Sequence, residues 1–231
     1  MYLNPDRLRQ LDEARFQAAR PYPWLNPEGL LTEEGHRRLL ESLPDVSLFR
    51  PVFGRLRKHG QQSHDRYSLE WREDLPVSAD WKAFIEELRG PGYRDFLRRM
   101  IGHDAFSLRF HWHYTPDGCS VSPHCDAAWK LGSHVFYFNT SEDWNPDWGG
   151  ETLVLDDGGR FPSRSAPAFE EFDRALASDS LGNRSLLFIR NGNSWHGVRP
   201  IHCPEGRLRK VFIVVINRST PWYRLRQRLR L

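Results

Sequence analysis

At 231 residues and 27.2 kDa, the chain is long enough to bury one substantial core with elaborations. A hydrophobic fraction of 39% with nine tryptophans excludes a disordered chain, and the longest apolar run, VFIVVI (211–216), is too short to cross a bilayer. The net charge of +3 does not point to nucleic acid.

Three scattered cysteines (Cys119, Cys125, Cys203) make neither a disulfide framework nor a CxxC zinc motif. The opening MYLNPDRLRQLDEARF is charged from the start, unlike a secretory signal. We therefore expect a reducing, cytoplasmic setting and no membrane segment, with the oligomeric state left open.

Residues 1–104 read as a helical support. NPDRLRQLDEARFQAAR (4–20) has a capping Asn and a Pro in its first turn, and LTEEGHRRLLESLP (31–44) offers Thr32 as a cap. Two further helices carry apolar stripes at helical spacing: Trp81, Phe84, Ile85, Leu88, then Tyr93, Phe96, Leu97, Met100. Between them, QQSHDRYSLEW (61–71) reads equally as a substrate-facing or an exposed hairpin.

From 105 the period changes to two. FSLRFHWHY (106–114) alternates Phe106, Leu108, Phe110, Trp112 and Tyr114 with Ser107, Arg109, His111 and His113. HVFYFN (134–139), ETLVL (151–155), SLLFIR (185–190) and RKVFIVVIN (209–217) are further strands, separated by turn-forming Gly, Pro, Asp and Asn. Residues 157–183, with a short helical patch in PAFEEFDRALAS, read as an inserted lid. Helices followed by strands predict an α+β, mainly β fold: a jelly-roll (double-stranded β-helix) core over 105–217, with the helical layer packed on one sheet. Residues 218–231 form a basic tail, read as solvated. We expect one domain.

Within SPHCDAAW (122–129), His124 and Asp126 stand two apart, so on an extended chain they share a face. About one such His-x-acid pair is expected by chance in this composition. Its neighbourhood has to carry the case. A third ligand should come from a distant strand, and His196 in NSWHGVRPI, 70 residues after Asp126, is the candidate. Two imidazoles and one carboxylate make a facial triad suited to Fe(II), with positions left open for cosubstrate and dioxygen.

The surrounding motifs resemble the 2-oxoglutarate-dependent Fe(II) oxygenases, in particular their prolyl-4-hydroxylase-like branch. Tyr114 stands ten residues before His124; FYFNTSEDWNPDWGGETLVL (136–155) is similar to the Tyr-Leu-Asn strand, Trp and Gly-Gly-acid turn. Phe188 with HGVRP (196–200) matches the second histidine segment, and basic residues open the last strand. The resemblance spans roughly residues 105–217. It implies a hydroxylase that couples oxidative decarboxylation of 2-oxoglutarate, with O2 and with ascorbate as an optional reductant, to attack on an unactivated C–H bond. His124, Asp126 and His196 would hold the iron. Arg209 would bind the far carboxylate of 2-oxoglutarate through two charge-assisted hydrogen bonds, with Arg207, of equal strand parity, as its rival. Tyr137 would add its hydroxyl to that carboxylate, and Tyr114 would line the pocket near the chelating end. In related halogenases a small residue replaces the aspartate, so Asp126 favours hydroxylation.

A competing reading is a cupin-like enzyme or binding protein using His111 and His113. Because these two face away from Tyr114, they are expected to face solvent or pack on the sheet. The substrate, small molecule or peptidyl, is not legible. Trp195, Arg66 and Trp129 are expected near the pocket from sequence proximity alone.

Overall fold

In the computed structural model, which describes residues 1–219, eleven strands among those residues form two antiparallel sheets. They are β1 (Trp24–Leu25), β2 (Arg50–Val52), β3 (Arg66–Glu70), β4 (Phe106–Thr115), β5 (Val121–His124), β6 (Lys130–Tyr137), β7 (Leu153–Asp156), β8 (Arg174–Ala177), β9 (Ser185–Ile189), β10 (His196–Val198) and β11 (Arg209–Arg218). The large sheet runs β1-β9-β6-β11-β4-β3-β2 and the small one β5-β10-β7-β8. This is a double-sheet jelly roll. The basic tail lies, from residue 220, outside the described residues.

Helices α1 (Pro5–Gln10), α2 (Glu13–Ala18), α3 (Glu33–Glu41), α4 (Ala79–Arg89) and α5 (Pro91–Ile101) make the supporting layer. Asn4 and Thr32 cap α1 and α3 as expected. The helix expected over 4–20 is instead two. Asp12 leaves the helical region and accepts the backbone N–H of Arg15, which starts α2 and ends the run. The first hundred residues are also less helical than their pattern suggests, because β1 extends one edge of the large sheet and β3 with β2 extends the other.

All eight residues of the α4 and α5 stripes are buried. Trp81 wedges between helix and sheet, its ring centroid 5.0 Å from Phe212, 5.1 Å from Trp112 and 5.1 Å from Phe138. Each such aromatic contributes about 1.5–3 kcal/mol by leaving water. The opposite face of the same strands turns inward, toward the small sheet. There Arg109, His111, His113 and Thr115 of β4 line a cavity of about 660 Å³ between the sheets. On the cavity face Arg109 is exposed and His111 and His113 are half-buried. One face of β4 packs on helices and the other walls the cavity.

The inserted segment also differs from expectation. Its short helical patch is one 3-10 turn, Phe169–Glu171, followed by β8, which pairs with β7 along Leu153–Asp156. Phe161, Phe172 and Trp195 pack together beneath it, so the aromatic residues serve a small core rather than a helix face.

Candidate active site

The small sheet brings the three expected ligands together. β10 pairs with β5 so that His196 stands directly opposite His124, and Asp126 follows two residues beyond His124. One ligand atom from each of the three lies within 4.8 Å of the others, and all three residues are buried. Each imidazole is oriented by the chain itself. His124 Nδ1 lies 3.0 Å from the Ser122 carbonyl, and His196 Nδ1 lies 3.0 Å from the Ser194 carbonyl. A carbonyl only accepts, so both Nδ1 atoms carry hydrogen and both Nε2 atoms keep a free lone pair. Burial holds both histidines below the usual imidazole pKa, in the neutral form that binds metals.

Asp126 is held from two sides. Lys130 Nζ donates to Oδ1 at 2.6 Å and Ser133 Oγ donates to Oδ2 at 3.2 Å. Burial alone would raise its carboxyl pKa, but the charge and hydrogen bond of Lys130 lead the opposing effects that keep it well below the usual carboxylate range. The donor set is therefore two neutral imidazoles and one carboxylate, which fits a divalent transition metal. Gly197 follows His196 for a steric reason: a Cβ there would sit 2.7 Å from the Val121 carbonyl and 2.9 Å from the Phe169 ring.

At another part of the same cavity lies Arg209, 7% exposed, which feels the Glu151 carboxylate at a distance but makes no ion pair among the described residues. Its Nε donates to the Gly150 carbonyl and its Nη2 to Thr152 Oγ1 at 3.2 Å. Thr152 also accepts from Tyr137 OH at 3.0 Å, and Tyr137 is bonded to Ser178 Oγ at 2.8 Å. Tyr137 thus stands behind Arg209, which lies 5.7 Å from its ring centroid; the Tyr137 hydroxyl, expected to meet the cosubstrate carboxylate, is instead engaged by Thr152 and Ser178 and does not line the cavity. A buried guanidinium without an ion pair fits a carboxylate delivered by a bound molecule. Apolar Val135, Phe188 and Val211 line the cavity beside it.

Two expected site residues are elsewhere. Tyr114 lies on the helical face of β4, stacked 4.2 Å from Phe49, with its hydroxyl donating to the Pro44 carbonyl at 3.0 Å. It does not line the cavity. Arg207 is exposed in the turn before β11, so the strand parity that made it a rival to Arg209 does not extend to it. The histidines of HWH, expected to face solvent or pack on the sheet, turn to the cavity with Arg66 and Trp129. Among the described residues, however, His111 and His113 join no group of three potential metal ligands. Trp195 is fully buried away from the cavity.

Sequence reasoning missed the residues that surround the triad. His64, from the loop before β3, places its ring 4.6 Å from that of His124. Arg57 Nη1 donates to His64 Nδ1 at 2.8 Å, which leaves the ring proton on Nε2, facing Ser122 Oγ at 3.1 Å. Lys130, Ser133 and Thr152 were missed as well. Lys130 had a signal, its position four residues after a ligand; the loop residues had none.

No protein-family model matches the sequence, and no curated protein sequence matches it. Similar solved structures are found. A prolyl-4-hydroxylase from Pseudomonas putida is 16% identical with a TM-score of 0.61, covering 90% of this chain and 99% of that one. A Trichoplax adhaerens prolyl hydroxylase, solved with a fragment of the hypoxia inducible factor oxygen degradation domain, is 13% identical with a TM-score of 0.62 over 93% and 91%. The carbocyclase SnoK of nogalamycin biosynthesis, a non-heme alpha-ketoglutarate-dependent enzyme, is 12% identical with a TM-score of 0.61 over 93% and 87%. The chain shares its fold with these prolyl hydroxylases and with this carbocyclase. No helix among the described residues is long and apolar enough to cross a membrane.

Proposed function

We propose that this chain is a non-heme Fe(II)- and 2-oxoglutarate-dependent dioxygenase that hydroxylates an unactivated C–H bond. The observation that carries the proposal is one cavity holding both a buried His-Asp-His donor set and an unpaired buried arginine. Iron and 2-oxoglutarate, when bound with O2, would supply the oxidising power, with succinate and CO2 as coproducts.

The chain's own residues would do the rest. His124 and His196 would present Nε2, fixed by the Ser122 and Ser194 carbonyls, and Asp126 would add the charge that balances the metal. Arg209, seated on the Gly150 carbonyl and on Thr152, would take the far carboxylate of the cosubstrate, with Tyr137 bracing Thr152 from behind. Val135, Phe188 and Val211 would exclude water from that end. A carboxylate at 126, where a halogenase has a small residue, fits hydroxylation. Three free cysteines fit a reducing, cytoplasmic setting. The substrate would be a small molecule or a peptidyl residue.

The test is succinate release from 2-oxoglutarate with Fe(II) and ascorbate, comparing wild type with His124→Ala. We expect slow substrate-free release from wild type and none from the variant. Equal release from both would sink the proposal.

A further inference from the structure

The cavity wall carries more positive charge than 2-oxoglutarate can use. Its two carboxylates are already paired, Glu70 with Arg109 at 3.2 Å and Asp126 with Lys130 at 2.6 Å. Arg57 and Arg66 also line it, and neither enters an ion pair among the described residues.

Both unpaired arginines are half-buried and aimed by local bonds. Arg66 Nη1 donates to the His64 carbonyl at 2.6 Å, while its Nε is buried without any partner. Arg57 reaches His64 Nδ1 and, more weakly, Gln61 Oε1 at 3.3 and 3.4 Å. Gln61 in turn donates to the Ser165 carbonyl, tying this loop to the inserted segment across from it. Two cations held this close together, with one N–H left orphaned, are costly unless an anion arrives.

The position separates this site from Arg209. β3 and β11 flank β4, and Arg66 falls level with Thr115, one residue beyond the Tyr67–Tyr114 pair. Arg209 pairs with Thr115 from the other side. Their backbones are therefore two strand spacings apart, about 10 Å. His64, which both Arg57 and Arg66 touch, lies against His124. We propose that Arg57 and Arg66 form a second anion site beside the metal centre, which selects a small-molecule substrate bearing a carboxylate or phosphate group.

The assignment of that anion as a substrate rests on the oxygenase reading; its binding does not. Protein saturated with Mn(II) and 2-oxoglutarate is titrated calorimetrically with benzoate, phenyl phosphate and neutral benzamide. Binding of at least one anion without binding of benzamide is expected, and the preferred anion tells carboxylate from phosphate. The Arg57→Gln/Arg66→Gln double variant should weaken binding by at least about tenfold, and Arg66→Lys, which keeps the charge, by less. Arg57→Gln alone, in a loop, provides the comparison if the double variant fails to fold. No anion binding, equal binding of benzamide, or an unchanged affinity in folded variants would overturn the proposal. If wild type takes up neither Mn(II) nor 2-oxoglutarate, yet anion binding still depends on these arginines, the oxygenase reading falls and the anion site stands.

Discussion

The Gly150 carbonyl accepts the Nε hydrogen of Arg209, and a Cβ at position 150 would stand only 3.1 Å from Arg209 Cδ. Gly150 also has φ +100, a conformation that side chains rarely adopt. The second glycine of the WGGE turn is thus a seat for the arginine as well as a turn residue. Gly150→Ala should push Arg209 aside and raise the 2-oxoglutarate concentration for half-saturation by roughly tenfold, about 1.4 kcal/mol. Titration of the Mn(II)-loaded variant with 2-oxoglutarate checks this, and metal affinity should stay unchanged.

Lys130 and an incoming metal both address Asp126, so the lysine should act as a placeholder cation. Removing it by Lys130→Met leaves a buried carboxylate unpaired and should destabilise the metal-free protein by about 1–3 kcal/mol, since Lys130 is itself partly exposed. Added Mn(II) then restores the missing charge. The melting temperature should therefore rise more on Mn(II) addition in the variant than in wild type. An equal rise in both would show that Lys130 does not compete.

Tyr114→Phe should distinguish the helical face of β4 from the cavity face. The change removes one buried hydrogen bond, to Pro44, and should cost about 1 kcal/mol of stability. Affinity for 2-oxoglutarate should not move. Denaturant unfolding and a cosubstrate titration on the same variant report the two quantities.

His134 predicts the sign of an acid response. It is fully buried among Tyr93, Phe96 and Phe136, and its Nε2 has no partner, so burial pushes its pKa down to about 3. Between roughly pH 6.5 and pH 3 the unfolded chain binds this proton and the folded one does not. Stability is therefore fully present above the unfolded pKa and falls with pH, by up to about 1.4 kcal/mol per unit for this residue. His134→Phe should flatten the dependence of unfolding free energy on pH by as much as one proton, measured between pH 7 and pH 5.

The strand-rich half was legible because its two-residue period is written in the residues themselves, and His124, Asp126 and His196 because a motif order surrounds them. Strand period, however, says which residues share a face and not which face meets the cavity. Tyr114 was therefore expected at the cavity although it packs against Phe49, and the HWH histidines were expected away from the cavity that they line. β2 escaped notice, and 61–71 gave only a hairpin of open role, because neither strand alternates cleanly; β3 gains order by pairing onto β4, and β2 by pairing onto β3. Arg57 and His64 come from an aperiodic loop, and only the folded chain shows that this loop reaches His124. PAFEEFDRALAS looked helical from composition, yet the open edge of β7 captured residues 174–177 as a strand.

The most direct test of the central claim is an anaerobic titration of the protein with Fe(II) and 2-oxoglutarate, followed by visible absorbance. We expect one iron per chain, and a charge-transfer band that requires both components. Asp126→Ala should abolish the band by losing the iron; Arg209→Gln should retain the iron but require much more 2-oxoglutarate. A wild-type protein that takes up no iron, or that gives no 2-oxoglutarate-dependent band, would contradict the assignment.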